Sequence, residues 1–368
     1  EDAAQLVAVE YDPLPATGDP RAAAGDGAPP VNRRSGGNIV GRYALATGEV
    51  DAAFERAAHV VSASLRQHRG CSLPMECRGS VVRYDPRRRR LTMWSSTQAP
   101  HGHKSILVSL FGLAESDVRV IVPSVGGGFG PKLLFYPEDG AIAAAAIKLG
   151  RPVKYIEDRR EHLMCTTQER DQFWEVEMAA DDEGRILGLR GTLYHDQGAY
   201  TARGTNIPFS SATTILGPYV VPHYRMNVVI AHTNKVAATS MRGAGHPQGC
   251  FTMERLLDRM AAKTGIDREH PLRTQAGQKI VYDSGDYVKC QADLLTAIDY
   301  AGFAERQRAA RAEGRYLGIG IANYVKPTGR GPFETGLVRI GTSGKVMVYT
   351  GGVAMGQGFH TAMAQIVA

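Results

Sequence analysis

At 368 residues, with 43% hydrophobic and 22% charged side chains, the chain can bury a sizeable core and holds two or more domains; global disorder is excluded. A net charge of +6 with pI near 9.0 is mildly basic, and the one dense basic run, Arg87 to Arg90, follows Asp85-Pro86 at a turn. That is the pattern of a solvated hairpin tip, and no aromatic platform flanks it for nucleic acid. The five cysteines include no C-x-x-C pair, H-E-x-x-H is absent, and no apolar run is long enough to span a bilayer. Reduced thiols and a cytoplasmic location are the expectation.

Taken in order, Leu6 to Tyr11 alternates as a short strand, and the Pro/Gly/Ala-rich stretch from Asp12 to Pro30 reads as loop or linker. The chain opens inside a strand pattern, so residues upstream are expected. Asp51 is placed to cap a short helix, Ala52 to Ala57, before a strand from Val60 to Leu65. Val81–Tyr84 and Leu91–Ser95 read as strands around a turn, and His103 to Leu113 as a helix with Ile106, Leu107, Leu110 and Phe111 on one stripe. The β-branched run Val118 to Val122 precedes a glycine loop, and an alanine-rich helix to Leu149 stops at Gly150 and Pro152 before a strand, Val153 to Glu157. Hairpins are predicted at Trp174–Ala180 with Ile186–Tyr194, and at Leu337–Ile340 with Val346–Thr350. Strands and helices mix without strict alternation, which fits α+β better than a doubly wound sheet.

Four stretches carry chemistry. Gly126-Gly127-Gly128-Phe129-Gly130-Pro131-Lys132 lies between a strand and a helix, an arrangement in which backbone N–H groups can cradle phosphate. It matches neither the P-loop nor G-x-G-x-x-G, because Pro131 interrupts both spacings. Gln98, in Ser96-Thr97-Gln98, sits at a strand end with its amide free to enter a cleft. Arg242, in Met241-Arg242-Gly243-Ala244-Gly245, precedes a helix from Gln248 to Lys263, and Gly356-Gln357-Gly358 follows the last strand before a helix from His360 to Val367. The glycine loop alone reads equally as a structural turn, and each of the other three alone more often as a turn than a site; together they suit a large, polar, phosphate-bearing ligand held by backbone amides.

These four motifs, in this order, resemble the molybdopterin-binding large subunit of the xanthine dehydrogenase/aldehyde oxidase family of molybdenum hydroxylases, and the similarity covers nearly the whole chain. The resemblance implies a tail of a hammerhead-like domain at 1–45, a first molybdopterin-binding domain at 46–275 and the beginning of a second at 276–368. It implies a molybdenum–molybdopterin cofactor in its cytosine dinucleotide form, held through the pterin dithiolene. Iron–sulfur clusters and FAD would reside on partner chains, an iron–sulfur small subunit and an FAD-binding medium subunit. Carried over, Gln98 would hydrogen-bond an oxo ligand on molybdenum, and Gly127, Gly128, Phe129 and Gly130 would line the cofactor with backbone amides. Arg242 would contact the site and orient substrate or stabilise charge on it. Gly356, Gln357 and Gly358 would hold the pterin and its phosphate. The implied reaction is hydroxylation of an aldehyde or aromatic N-heterocycle with water as oxygen source.

The sequence departs from the family in places. Leu133 stands where xanthine-oxidising relatives carry a purine-binding Glu, and the Arg242 loop lacks the Cys of copper-bearing carbon monoxide dehydrogenases. The stretch between Gly265 and Gly277 is short, and the chain ends at Ala368, ahead of the family's general-base Glu. Neither Glu138 nor Glu161 sits in a matching motif. The expectation is therefore that this chain does not turn over alone. The alternatives are a non-catalytic half of a split subunit that needs a second chain, and, from another class, a basic nucleic-acid-binding protein.

Overall fold

A computed structural model describes residues 6–266, 285–326 and 334–368. The larger sheet has five strands: β1 (Ile39–Thr47), β2 (His59–Gln67), β7 (Gln172–Ala180), β8 (Ile186–Gly198) and β9 (His223–His232), in spatial order β1-β9-β8-β7-β2. Neighbours are antiparallel except β8 and β9, which run parallel. β7 alternates Glu175 and Glu177 outward with Trp174, Val176 and Met178 inward, as a half-buried strand must. Against that inner face pack Ile215, Tyr219, Met253, Leu256, Leu257 and Met260 from the segments that include helices α6 (Asn206–Thr214) and α7 (His246–Thr264).

A separate four-stranded sheet, order β5-β4-β3-β6, is built from β3 (Gly79–Asp85), β4 (Arg90–Ser95), β5 (Val118–Ile121) and β6 (Val153–Ile156). Helices α3 (Pro100–Phe111) and α4 (Pro137–Leu149) cover it, with Val82, Leu91, Met93, Leu107, Ile142 and Ala146 in the core. Beyond α7 come α8 (Tyr287–Ala297), α9 (Phe303–Ala312), a hairpin of β10 (Gly336–Ile340) and β11 (Val346–Thr350), and α10 (Phe359–Val367). Mixed helices and strands in this arrangement make the chain α+β, as expected.

Several local expectations are corrected. Leu6 to Tyr11 forms no strand; Leu6 and Tyr11 are each 85% exposed, and no neighbouring backbone pairs with the segment. The helix near Asp51 is α2 (Val50–Glu55), with no side-chain cap; Asp51 instead bonds Arg225 at 2.8 Å. In α3 the stripe is narrower than drawn. Leu107 and His103 are buried while Ile106 and Leu110 are exposed, because only one side of this helix meets the sheet. Of the short stretch between Gly265 and Gly277, residues from 267 on lie outside the described residues.

Candidate active-site cleft

β4 and β5 run parallel, so the chain leaves both at the same end of the sheet. One exit carries Gln98, the other the glycine loop. The Gln98 N–H donates to Lys132 O at 2.8 Å, and its Oε1 accepts the Gly130 N–H at 2.9 Å. With Oε1 so occupied, Nε2 is the end of the amide left for a ligand. Thr97, buried behind it, donates to the same Lys132 carbonyl at 3.1 Å and lies 3.2 Å from His103 Nδ1.

Glycine is required at two points of the loop. A Cβ on Gly130, whose φ is +115°, would lie 1.8 Å from Ser240 O; one on Gly128 would lie 2.5 Å from Gln98 Cδ. Phe129 adopts φ +58°, uncommon outside glycine, and its carbonyl accepts the Arg242 N–H at 2.9 Å. The Arg242 guanidinium lies over the Phe129 ring, 5.0 Å from its centroid. Among the described residues, the N–H groups of Gly127, Gly128 and Phe129 find no acceptor.

These groups line one cleft of about 770 Å³, together with Leu73, Met75, Leu133, Ser240, Met241, Gly243 and Ala244. Met355, Gly356 and Gln357 close it from the C-terminal segment, whereas Gly358 caps α10 and does not line it. The Gln357 side chain folds back on its own loop, accepting from Met355 N at 2.6 Å and donating to Val353 O at 2.7 Å. Free backbone amides, a carboxamide donor and a guanidinium on a surface without side-chain bulk can hold an anionic, oxygen-rich group. The structure thus brings Gln98, Gly127 to Gly130, Arg242, Gly356 and Gln357 together and leaves Gly358 at the margin.

Charged groups that sequence reading passed over brace the cleft from behind. Lys132, 2% exposed, pairs with Glu76 at 2.8 Å, and the same Glu76 oxygen accepts the Gly126 N–H at 2.8 Å. Glu169 is buried against Arg170; burial pushes its carboxyl up to about 7, although the Arg170 charge and the nearby Met241 N–H pull it back. Glu76 has its partner Lys132 far along the chain, and the adjacent Glu169 and Arg170 carry no local sign that the carboxylate will be buried. Further out, Arg78 donates to Glu157 at 2.9 and 2.5 Å and stacks 3.6 Å from the Tyr136 ring centroid.

Cys77, Glu157 and His162 lie close enough to hold a metal ion, but both Glu157 oxygens already accept bonds from Arg78, Thr166 and the Arg78 N–H. His162 is engaged at both nitrogens, so the group is an ion-paired brace. Despite its burial, bonds from His162 and Arg78 hold the Glu157 carboxyl at about 2. Its contribution to stability is therefore complete above the ordinary glutamate range and lost as pH falls through about 2. Glu157→Gln removes the counter-charge of a buried guanidinium and should cost about 3–5 kcal/mol. A variant as stable as the parent in urea at pH 7 would refute that.

A family model described as "Molybdopterin cofactor-binding domain" matches residues 32–274, and a second model of the same description matches residues 293–368. The chain belongs to the molybdopterin cofactor-binding domain family. The 6-hydroxypseudooxynicotine dehydrogenase complex subunit gamma of Paenarthrobacter nicotinovorans is 36% identical over all of this chain and 48% of its own length. The carbon monoxide dehydrogenase large chain of Hydrogenophaga pseudoflava is 32% identical over all of this chain and 51% of its own. The crystal structure of quinoline 2-oxidoreductase from Pseudomonas putida 86 superposes with a TM-score of 0.91 at 32% identity, covering 100% of this chain and 50% of that one. The chain thus spans about half the length of the curated relatives it matches. In this molybdopterin-binding chain, no helix among the described residues is long and apolar enough to cross a membrane.

Proposed function

We propose that this chain is the molybdenum-cofactor-binding portion of an oxidoreductase that hydroxylates an aromatic N-heterocycle or an aldehyde, with water as oxygen source. The observation that carries the reading is the convergence of the Gln98 amide, the unpaired loop N–H groups and the Arg242 guanidinium on one cleft, within a molybdopterin-binding family. The donor set and the Cβ-free surface at Gly128 fit such a cofactor, in our reading its cytosine dinucleotide form. When bound, it supplies a redox-active metal centre that accepts electrons from the substrate; we assign onward transfer to iron–sulfur and FAD-bearing partner chains.

The chain's own residues then have separable tasks. Gln98 Nε2 would donate a hydrogen bond toward the reacting centre, and the amides of Gly127, Gly128 and Phe129 would hold the cofactor. Gly356 and Gln357, with Gly358 at the margin of the cleft, would hold the pterin and its phosphate through their amides. Arg242, flattened on Phe129, orients substrate and offers a planar fork to an atom gaining charge. Leu73, Met75, Leu133 and Met241 give the cleft apolar walls that favour a flat, weakly polar substrate. The relatives named for nicotine and quinoline chemistry favour the heterocycle over the aldehyde. None of the described lining residues carries a carboxylate.

The test is metal and pterin analysis of the native particle, joined to Arg242→Lys. We expect molybdenum, pterin and a co-purifying iron–sulfur chain, with kcat/KM about 10- to 100-fold lower in the variant at unchanged cofactor content. A metal-free particle with full activity would overturn the proposal; cofactor loss in Arg242→Lys would make Arg242 structural.

A further inference from the structure

Arg242 stands on a loop that offers it little regular support, since Gly243, Ala244 and Gly245 all take positive φ, at 103°, 44° and 95°. A side chain that orients a substrate must be held against something. The Arg242 peptide is gripped on both sides. Its N–H donates to Phe129 O at 2.9 Å, and its carbonyl accepts from Arg170 Nη2 at 3.2 Å. The other nitrogen of the same guanidinium, Nη1, pairs with Glu169, whose side chain is fully buried. Glu169 is fixed in turn by reciprocal backbone bonds with Gly70, both 2.9 Å. Arg170 and Asp171 adopt positive φ, 74° and 49°, a costly conformation outside glycine that persists only where surroundings impose it. Neither Glu169 nor Arg170 lines the cleft.

We infer that Glu169 and Arg170 are positioning residues for Arg242: the buried carboxylate holds one arm of the Arg170 guanidinium, and the other arm holds the Arg242 carbonyl. In this arrangement the Arg242 side chain stays over Phe129. Arg170 is suited to the task because its planar fork serves two acceptors at once, which an ammonium does with no fixed geometry. The kinetic consequence rests on the cofactor-cleft reading above; the geometric one does not.

The experiment compares Glu169→Gln, Glu169→Asp and Arg170→Lys in the native assembly. Hydrogen exchange is read at the Arg242 amide, and cofactor content and kcat/KM are measured in parallel. Glu169→Gln and Arg170→Lys should speed exchange at Arg242 about 10-fold and lower kcat/KM about 10-fold with cofactor content unchanged. Glu169→Asp, which keeps the charge, should recover part of both. Should Glu169→Gln fail to fold, Arg170→Lys decides alone, since it leaves the buried carboxylate a cationic partner. Parental exchange at Arg242 in Arg170→Lys overturns the inference, as does faster exchange spread over the whole chain. Local faster exchange in a particle without molybdenum would sink the functional reading and leave the positioning role standing.

Discussion

Gln98→Ala is expected to lower turnover about 100-fold while fold and cofactor content stay intact, the effect typical of losing one preorganised donor. The backbone of Gln98 is tied to Lys132 O independently of its side chain, so truncation should not release the strand end. What is lost is Nε2, together with the acceptor Oε1 that fixes the Gly130 N–H at 2.9 Å. Gly130 remains constrained by its packing on Ser240, which limits relaxation of the loop. Single-turnover rates on molybdenum-loaded protein are the measurement. Unchanged rates would reduce Gln98 to a packing residue at a strand end.

Gly130→Ala should fail differently, through loss of the cleft itself. The added methyl would overlap Ser240 O, a backbone atom, and the φ of +115° is strained for any L side chain. Together these terms suggest destabilisation of about 3–5 kcal/mol, seen as a lower urea midpoint and absent cofactor. Gly128→Ala serves as the control. The atoms nearest its methyl belong to the Gln98 side chain, not to backbone, so it should fold with that amide displaced and reproduce the Gln98→Ala defect. Equal stability of Gly130→Ala and the parent would show that the loop is not held as described.

The comparison with the sequence follows from the range of each interaction. Hairpins such as β7–β8 were legible because the turn residues Asp181 to Gly184 and the flanking alternation lie within one local stretch. The glycine loop and Gln98 were legible as motifs, and β4–β5 geometry then brought them together. β1 and β9 were not singled out: their pattern acquires meaning only when Tyr43 meets Val228, far along the chain. Glu76 was missed for the same reason: a glutamate near an unremarkable loop gives no sign that Lys132 will be locked to it. Glu169 and Arg170 are neighbours in sequence, and what no local pattern displays there is the burial of the carboxylate. Leu6 to Tyr11 shows the converse, an alternating run without a partner strand.

The order of strands in the larger sheet also bears on how the polypeptide matures during synthesis. Its two edges, β1 and β2, are the first of its strands to leave the ribosome, yet each pairs with a strand made much later, β9 and β7. At about 5–20 residues per second, β1 waits on the order of tens of seconds before His232 is available to complete its partner. Until β7 is complete at Ala180, His59–Gln67, with Val61, Ala63 and Leu65 on its core face, is an open, apolar-faced edge prone to pairing with other nascent chains. Slowing elongation downstream of β2 should therefore lower soluble yield, and holdase capture before β7 emerges should restore it.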